Sequence, residues 1–301
     1  MTSETEALPA DAGIYILSEG PVWDPGTGRL TWVDIEAGLL LSAELTEPAG
    51  GPALGPVRRL ELGEYVGCAC PLDGGSTLVT LTRQLAVVHP DGTIRRSSIL
   101  VPEGQRFNDG KIDPQGRLVV GTLWLDGSGP DTNRLLRLEH DGFVTTLDDD
   151  LQLSNGLGWS PDGSVFYSTD TPAGKIYRRS YSADAVGQRE EFLTFDDGVF
   201  PDGLTVDADG NLWVAIWGGG GVRVYDANGN RRPDLGLRIT APHSSSVTFA
   251  GAALDIAVVT SASRDLSAQE RGQYPDAGGL FLARTPVRGL PPTQWKEAPL
   301  P

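Results

Sequence analysis

Six times along the chain an apolar approach runs into a tight, glycine-bearing turn that opens a short β-rich segment. The turns start at 24, 71, 113, 160, 207 and 249, so the interval is 42 or 47 residues each time. Four are plain: Asp24-Pro25-Gly26, Asp113-Pro114-Gln115-Gly116, Ser160-Pro161-Asp162-Gly163 and Asp207-Ala208-Asp209-Gly210. Proline presets φ in such turns and glycine accepts positive φ. The segments that follow are Leu30-Thr31-Trp32-Val33, Leu118-Val119-Val120, Val165-Phe166-Tyr167 and Leu212-Trp213-Val214. Two weaker copies are Pro71-Leu72-Asp73-Gly74 before Thr77-Leu78-Val79, and Phe249-Ala250-Gly251 before Ala257-Val258-Val259. A second hairpin recurs further along the unit, at His89-Pro90-Asp91-Gly92, His140-Asp141-Gly142 and Asp226-Ala227-Asn228-Gly229. A repeat of about 40–50 residues with four strands is one propeller blade. The reading is an all-β chain, a six-bladed β-propeller that forms a single domain over residues 1–301. Residues 1–13 and 290–301 read as loose termini, apart from one terminal strand that completes the last blade and removes its open edge.

The repeat has a geometric consequence. Five residues before each turn stand Glu19, Val66, Asn108, Asn155, Asp202 and Ser244. Equivalent positions on equivalent innermost strands lie on one ring around the propeller axis. Glu19, Asn108, Asn155 and Asp202 therefore converge, although they are far apart in the chain. Two carboxylates on a narrow axis repel, and burying them unpaired is costly. A hard divalent cation relieves this, and carboxylate and amide oxygens suit Ca²⁺, Mg²⁺ or Mn²⁺. No thiol or imidazole sits in the ring, which argues against a structural zinc site. The bland alternative is a set of turn-capping side chains bonded to backbone; four in register favour a site. Arg106 leaves the same mouth two residues before Asn108, as a substrate-binding guanidinium or as a rim ion pair. Trp124, Trp217 and the Gly218–Gly221 run line the same opening or belong to the core.

Composition narrows the function classes. Lys plus Arg is 24 against 40 Asp plus Glu, a formal net charge of −16. That field repels phosphate backbones, so no nucleic-acid partner is expected. The two cysteines, Cys68 and Cys70, form no disulfide framework and read as small buried apolar residues. The start, MTSETEALPADAG, lacks the basic and apolar runs of a signal peptide. No stretch reaches membrane-helix length. A cytoplasmic protein with no membrane partner, a monomer or weak dimer, is expected. His243 beside Ser244 raises a serine-hydrolase reading, but no G-x-S-x-G elbow is present.

The segments S-E-G-P-V-W-D, R-F-N-D-G-K-I-D-P-Q-G-R, S-N-G-L-G-W-S-P-D-G and P-D-G-L-T-V-D-A-D-G-N-L-W-V-A resemble the regucalcin/gluconolactonase/luciferin-regenerating-enzyme family, also called the senescence marker protein family. Gln273–Phe281 looks like that family's final blade, and the resemblance runs from about residue 13 to 290. It implies a lactonase that uses one divalent metal ion (Ca²⁺, Mn²⁺, Mg²⁺, Zn²⁺ or Fe²⁺) and a sugar lactone as its small-molecule substrate. By that resemblance Glu19, Asn155 and Asp202 are the metal ligands, and Asp202 is also the general base. Arg106 and Asn108 match the substrate-binding pair. Where regucalcin-like members carry a substrate-binding glutamate, this chain has Asp126, one methylene shorter, with Trp124 nearby; both bear on sugar preference. An esterase or organophosphate hydrolase on the same site, and a non-catalytic calcium- or partner-binding propeller, are the alternatives.

Overall fold

A computed structural model describes residues 4–10, 12–125, 127, 132–296 and 299–301. It contains six small sheets, antiparallel apart from one added N-terminal strand. Each begins at an inner strand, and these are Ser18–Asp24, Val66–Pro71, Gln105–Ile112, Ser154–Trp159, Phe200–Val206 and His243–Ala250. They define blades 1 to 6. Every inner strand packs against that of the next blade, and the inner strand of blade 6 returns to that of blade 1. The fold is thus the six-bladed propeller expected from the repeat.

The recurring turns lie between the inner and second strands, and an aspartate holds several of them. Asp113 Oδ1 accepts from the amides of Gln115 (2.9 Å) and Arg117 (2.8 Å). Asp207 Oδ1 accepts from those of Asp209 (3.0 Å) and Asn211 (2.8 Å). Its Oδ2 takes the indole N–H of Trp213 at 2.9 Å, so the turn is bolted to the core. Asp24 makes the same turn with Gly26 and Thr27. At the other end of blades 1 and 4 another aspartate fixes the entry to the inner strand. Asp34 accepts from the amides of Ile16 and Leu17, and Asp170 from those of Gln152 and Leu153.

Apolar faces of neighbouring blades meet in the core. Trp32 and Trp213 are fully buried, and Trp213 meets Phe249 of blade 6 edge-on at 5.0 Å. Trp159 stacks on Phe166 at 4.7 Å. Cys68 and Cys70 are free and buried, as read from the sequence. A six-residue helix, Ala268–Gln273, carries a capping box from Ser267 and Glu270.

A terminal strand completes the last blade as expected, but the other described residues of 1–13 and 290–301 are also tied down, which corrects the reading of them as loose. Thr5–Glu6 adds in parallel to Leu237–Arg238 of blade 5, and Leu8–Pro9 pairs with Leu280–Arg284 to complete blade 6. Ala7 between them is fully buried. At the other end Trp295 packs with the core residues of blades 2 and 3. Lys296 N–H donates to Gly116 O at 2.8 Å, and Pro301 O accepts from Ser98 N–H at 2.7 Å. Trp295 itself is buried among the apolar side chains of those blades. Among the described residues no helix is long and apolar enough to cross a membrane.

Candidate active site

All six inner strands carry a register shift at nearly the same place, between Glu19/Val22, Val66/Ala69, Phe107/Gly110, Asn155/Leu157, Pro201/Leu204 and Ser244/Ser246. A bulge leaves residues out of the ladder and re-aims their side chains. Here that happens at or beside the ring positions derived from the repeat. Close approach of the strands adds to the effect. A Cβ on Gly156 would stand 2.4 Å from Asp202 O, and one on Gly203 2.3 Å from Ser246 Oγ, so only glycine fits between these blades.

The ring residues are almost inaccessible: Glu19 is 5 % exposed, Asn108 5 %, Asn155 6 % and Asp202 4 %. Asn108 Nδ2 donates to Ser154 O (3.0 Å) and to Asn155 Oδ1 (2.9 Å). Asn155 Nδ2 donates to Thr171 Oγ1 (3.0 Å), which donates to Pro201 O (2.7 Å) beside Asp202. This chain ties blades 3, 4 and 5 together at the axis. It also fixes the Asn155 amide with its carbonyl oxygen toward Asn108. Val66 fills the ring position of blade 2 with an apolar side chain.

The electrostatics match the geometry. Burial pushes the Glu19 carboxyl well above its ordinary range, and the charges of Asp202 and Asp109 push the same way against the Gly20 amide and Arg106. Burial likewise lifts Asp202 well above the usual carboxylate range, with Asp109 adding and the Gly203 amide and Asn155 opposing. Asp202 Oδ1 has no hydrogen-bond partner among the described residues. Two buried, mutually repelling carboxylates, one with an orphaned oxygen and an amide carbonyl close by, fit a hard divalent cation. Among the described residues no group of three or more His, Cys, Asp and Glu forms a metal site, and the axial set is two carboxylates with an amide.

Arg106 is 4 % exposed and donates from Nη1 to Phe107 O and Asn108 Oδ1, both at 2.8 Å. Its guanidinium lies 5.6 Å from the Tyr65 ring centre. Burial pulls its pKa down to about 10, Arg264 adding and Tyr65, Glu19 and Glu36 opposing, so it keeps its charge at neutral pH. None of the ion pairs among the described residues includes it, in contrast to a rim salt bridge. Trp124 pairs with Gln105 at the same mouth, over Gly104. Asp126 lies outside the described residues. Trp217 stacks on His243 at 4.4 Å and 17° where blades 5 and 6 meet.

Two charged groups at the axis were not singled out from the sequence. Asp109 is buried and lifted by burial, with Lys111 opposing. Lys111 is lowered by burial and donates from Nζ to Leu204 O at 3.0 Å. Their signal was the N-D-G-K run itself. A cavity of about 400 Å³ opens at the turn end, lined by Trp23, Lys111, Trp159 and Leu290–Gln294 among others. Its lining includes none of Glu19, Arg106, Asn108, Asn155 or Asp202, so it is distinct from the candidate site.

Known proteins resemble this chain over nearly its full length. Residues 17–263 match the model of the SMP-30/Gluconolactonase/LRE-like region. A pentonolactonase of Haloferax volcanii is 40% identical over 91% of this chain and 93% of that protein. A 6-deoxy-6-sulfogluconolactonase of Pseudomonas putida is 32% identical over 91% of this chain and 93% of that protein. The crystal structure of regucalcin from Agrobacterium tumefaciens, titled a calcium-binding protein, shares the fold. Its TM-score is 0.87 over 98% of this chain and 99% of that one, at 24% identity.

Proposed function

This chain belongs to the SMP-30/Gluconolactonase/LRE-like family, and from that premise we propose that it hydrolyses a sugar lactone to the aldonic acid with the help of one divalent cation. The observation that carries the reading is the pair of buried carboxylates, Glu19 and Asp202, converging with the Asn155 amide on the axis. These three side chains would hold the cation. Bound there, it would supply Lewis acidity toward the lactone carbonyl.

The protein's own residues do the rest. Arg106 and Asn108 bind substrate hydroxyls at the mouth, pre-aligned by their mutual 2.8 Å hydrogen bond. Trp124 lies beside them, and Asp126 is assigned to the same task. Asp202 takes a proton from water as the water oxygen attacks the carbonyl carbon. The ring C–O bond then breaks, and Asp202 returns the proton to the departing alkoxide. A cation at the same carboxylate would lower its proton affinity, so the base role needs Asp202 to be only partly engaged with the metal. The names of the pentonolactonase and sulfogluconolactonase relatives support a lactone as substrate.

The test is to strip the protein with chelator and follow acid release from a panel of aldonolactones, corrected for spontaneous hydrolysis. Ca²⁺, Mg²⁺, Mn²⁺, Zn²⁺ and Fe²⁺ are then restored singly. Turnover that disappears on stripping and returns with a cation is the expected result. A folded protein that binds the ion and opens no lactone would refute the proposal; aryl-ester or organophosphate cleavage would then point to the esterase reading.

A further inference from the structure

The cavity at the turn end is built from the same repeat as the axial ring. Three residues after Glu19, Asn108, Asn155 and Asp202 the inner strands carry Val22, Lys111, Gly158 and Thr205, and all four line it. Thr248 of blade 6 joins them. The walls are largely apolar, with Trp23, Trp159 and Phe249 from the blades and Leu290, Pro291 and Pro292 from the C-terminal stretch. At about 400 Å³ the cavity falls in the range of small-molecule pockets, about 300–1,000 Å³. Such pockets join apolar walls to a few convergent polar groups, and this one does the same.

Most of its unsatisfied polar groups are donors. Lys111 is the one cation in the lining. An ammonium has three N–H bonds, and Leu204 O takes one of them at 3.0 Å. Asp109 is the acid that acts on it, opposing the burial that lowers its pKa, but the two form no ion pair. The indole N–H groups of Trp23 and Trp159 have no hydrogen-bond partner among the described residues, and these side chains are only 6 % and 7 % exposed. Against them stands a single orphaned acceptor of the lining, Gln294 Oε1. The two carboxylates of the lining are engaged by their own turns. Asp24 accepts from Gly26 N–H and Thr27 Oγ, and Asp162 Oδ1 from Ser160 Oγ and from the amide and hydroxyl of Ser164. What fits is therefore rich in acceptors, carries one negative charge for one ammonium, and has an apolar body. A dianion would leave a charge unmatched beside Asp24 and Asp162. An organic cation would suit the aromatic walls but would meet Lys111 and the orphaned N–H groups.

We propose that this cavity is a second binding site, for a small apolar monocarboxylate such as an aryl acid, with its carboxylate on Lys111 Nζ and its body against Trp23, Trp159 and Phe249. The site shares no lining residue with the ring of Glu19, Asn108, Asn155 and Asp202. It needs neither a divalent cation nor a lactone, so it stands or falls apart from the lactonase reading.

The test titrates the full chain, stripped with chelator, with benzoate, benzamide and benzylamine in a calorimeter. Benzoate should bind with a Kd of about 1 mM or tighter. The other two should bind about tenfold more weakly or not at all, the scale of one hydrogen bond to a charged group. Lys111→Met keeps the length of the side chain, removes the charge, and should weaken benzoate by about the same factor. Val22→Phe fills space at the same level of the cavity with Lys111 intact and should also weaken benzoate; it decides the matter if Lys111→Met fails to fold. Arg106→Ala, at the axial site, should leave the benzoate Kd within about twofold, as expected of separate sites. A folded wild-type protein that binds no benzoate overturns the proposal, and so does equal binding of benzamide. Preference for benzylamine overturns it in favour of an organic-cation site on Asp24 and Asp162. Benzoate binding that survives Val22→Phe, or that is lost in Arg106→Ala, places the anion elsewhere and overturns it as well.

Discussion

Asp202 is asked to do two things, bind a cation and move a proton, and substitution can separate its charge from its shape. Asp202→Asn keeps the volume but removes the charge. General-base contributions run to about 10²–10⁴-fold, so kcat/KM is expected to fall by about that much. Tm in chelator should hold or rise, since one member of a repelling set is gone. Steady-state kinetics beside a thermal melt check both, and a variant with full activity removes Asp202 from the mechanism. Arg106→Ala deletes the donor to Phe107 O and Asn108 Oδ1. KM should rise about tenfold, the scale of one hydrogen bond to a charged group, with a smaller change in kcat. Unchanged kinetic constants would sink that role. The ring residues were legible because the repeat makes equivalent positions equivalent in space. Asp109 was not, because strict alternation sends it to the face opposite Asn108. The Phe107/Gly110 bulge leaves both residues out of the ladder, and a bulge has no sequence period of its own.

Strands show the same contrast between what repeats and what does not. The inner and second strands are bracketed by turns whose aspartates close on their own backbone, so they announce themselves locally. The closing strands, Thr5–Glu6 and Leu8–Pro9, are two residues each and carry no alternation to read. Their residues are exposed, and their place is set by partners more than 200 residues away. The polar start of the chain therefore read as loose, and the one terminal strand expected to complete the last blade could not be located in it. Deleting residues 1–9 tests their value. It removes the bonds of Thr5 N–H to Gly236 O and Ala7 N–H to Arg238 O, both 2.9 Å, and the pairing of Leu8 and Pro9 with blade 6. At about 1 kcal/mol for each hydrogen bond, plus the burial of Ala7, the loss is about 3–5 kcal/mol. For a chain of this size that lowers Tm by roughly 5–10 °C. An unchanged melt would mean that blades 5 and 6 close without the N-terminal segment.

At the scale of the whole molecule, the axis is where the blades converge, and a cation held by Glu19, Asn155 and Asp202 would clamp blades 1, 4 and 5. Binding to the folded state alone stabilises it by about 2.7 kcal/mol when the ion is at a hundred times its Kd. Chelation should then lower Tm by roughly 5 °C. The net charge of −16 offers a competing cause, because any divalent cation also screens the self-repulsion of so acidic a surface. The two separate cleanly. Screening follows ionic strength, since the Debye length is about 8 Å at 0.15 M salt, so sodium chloride added to the chelated protein would restore the lost degrees. A site needs a divalent ion whatever the sodium concentration, and it needs its carboxylates. The expected result is a Tm that returns with the divalent cation in 0.15 M sodium chloride and fails to return in Glu19→Gln. Recovery with sodium alone, or an equal response in Glu19→Gln, would assign the effect to the surface and take the clamp away from the axis.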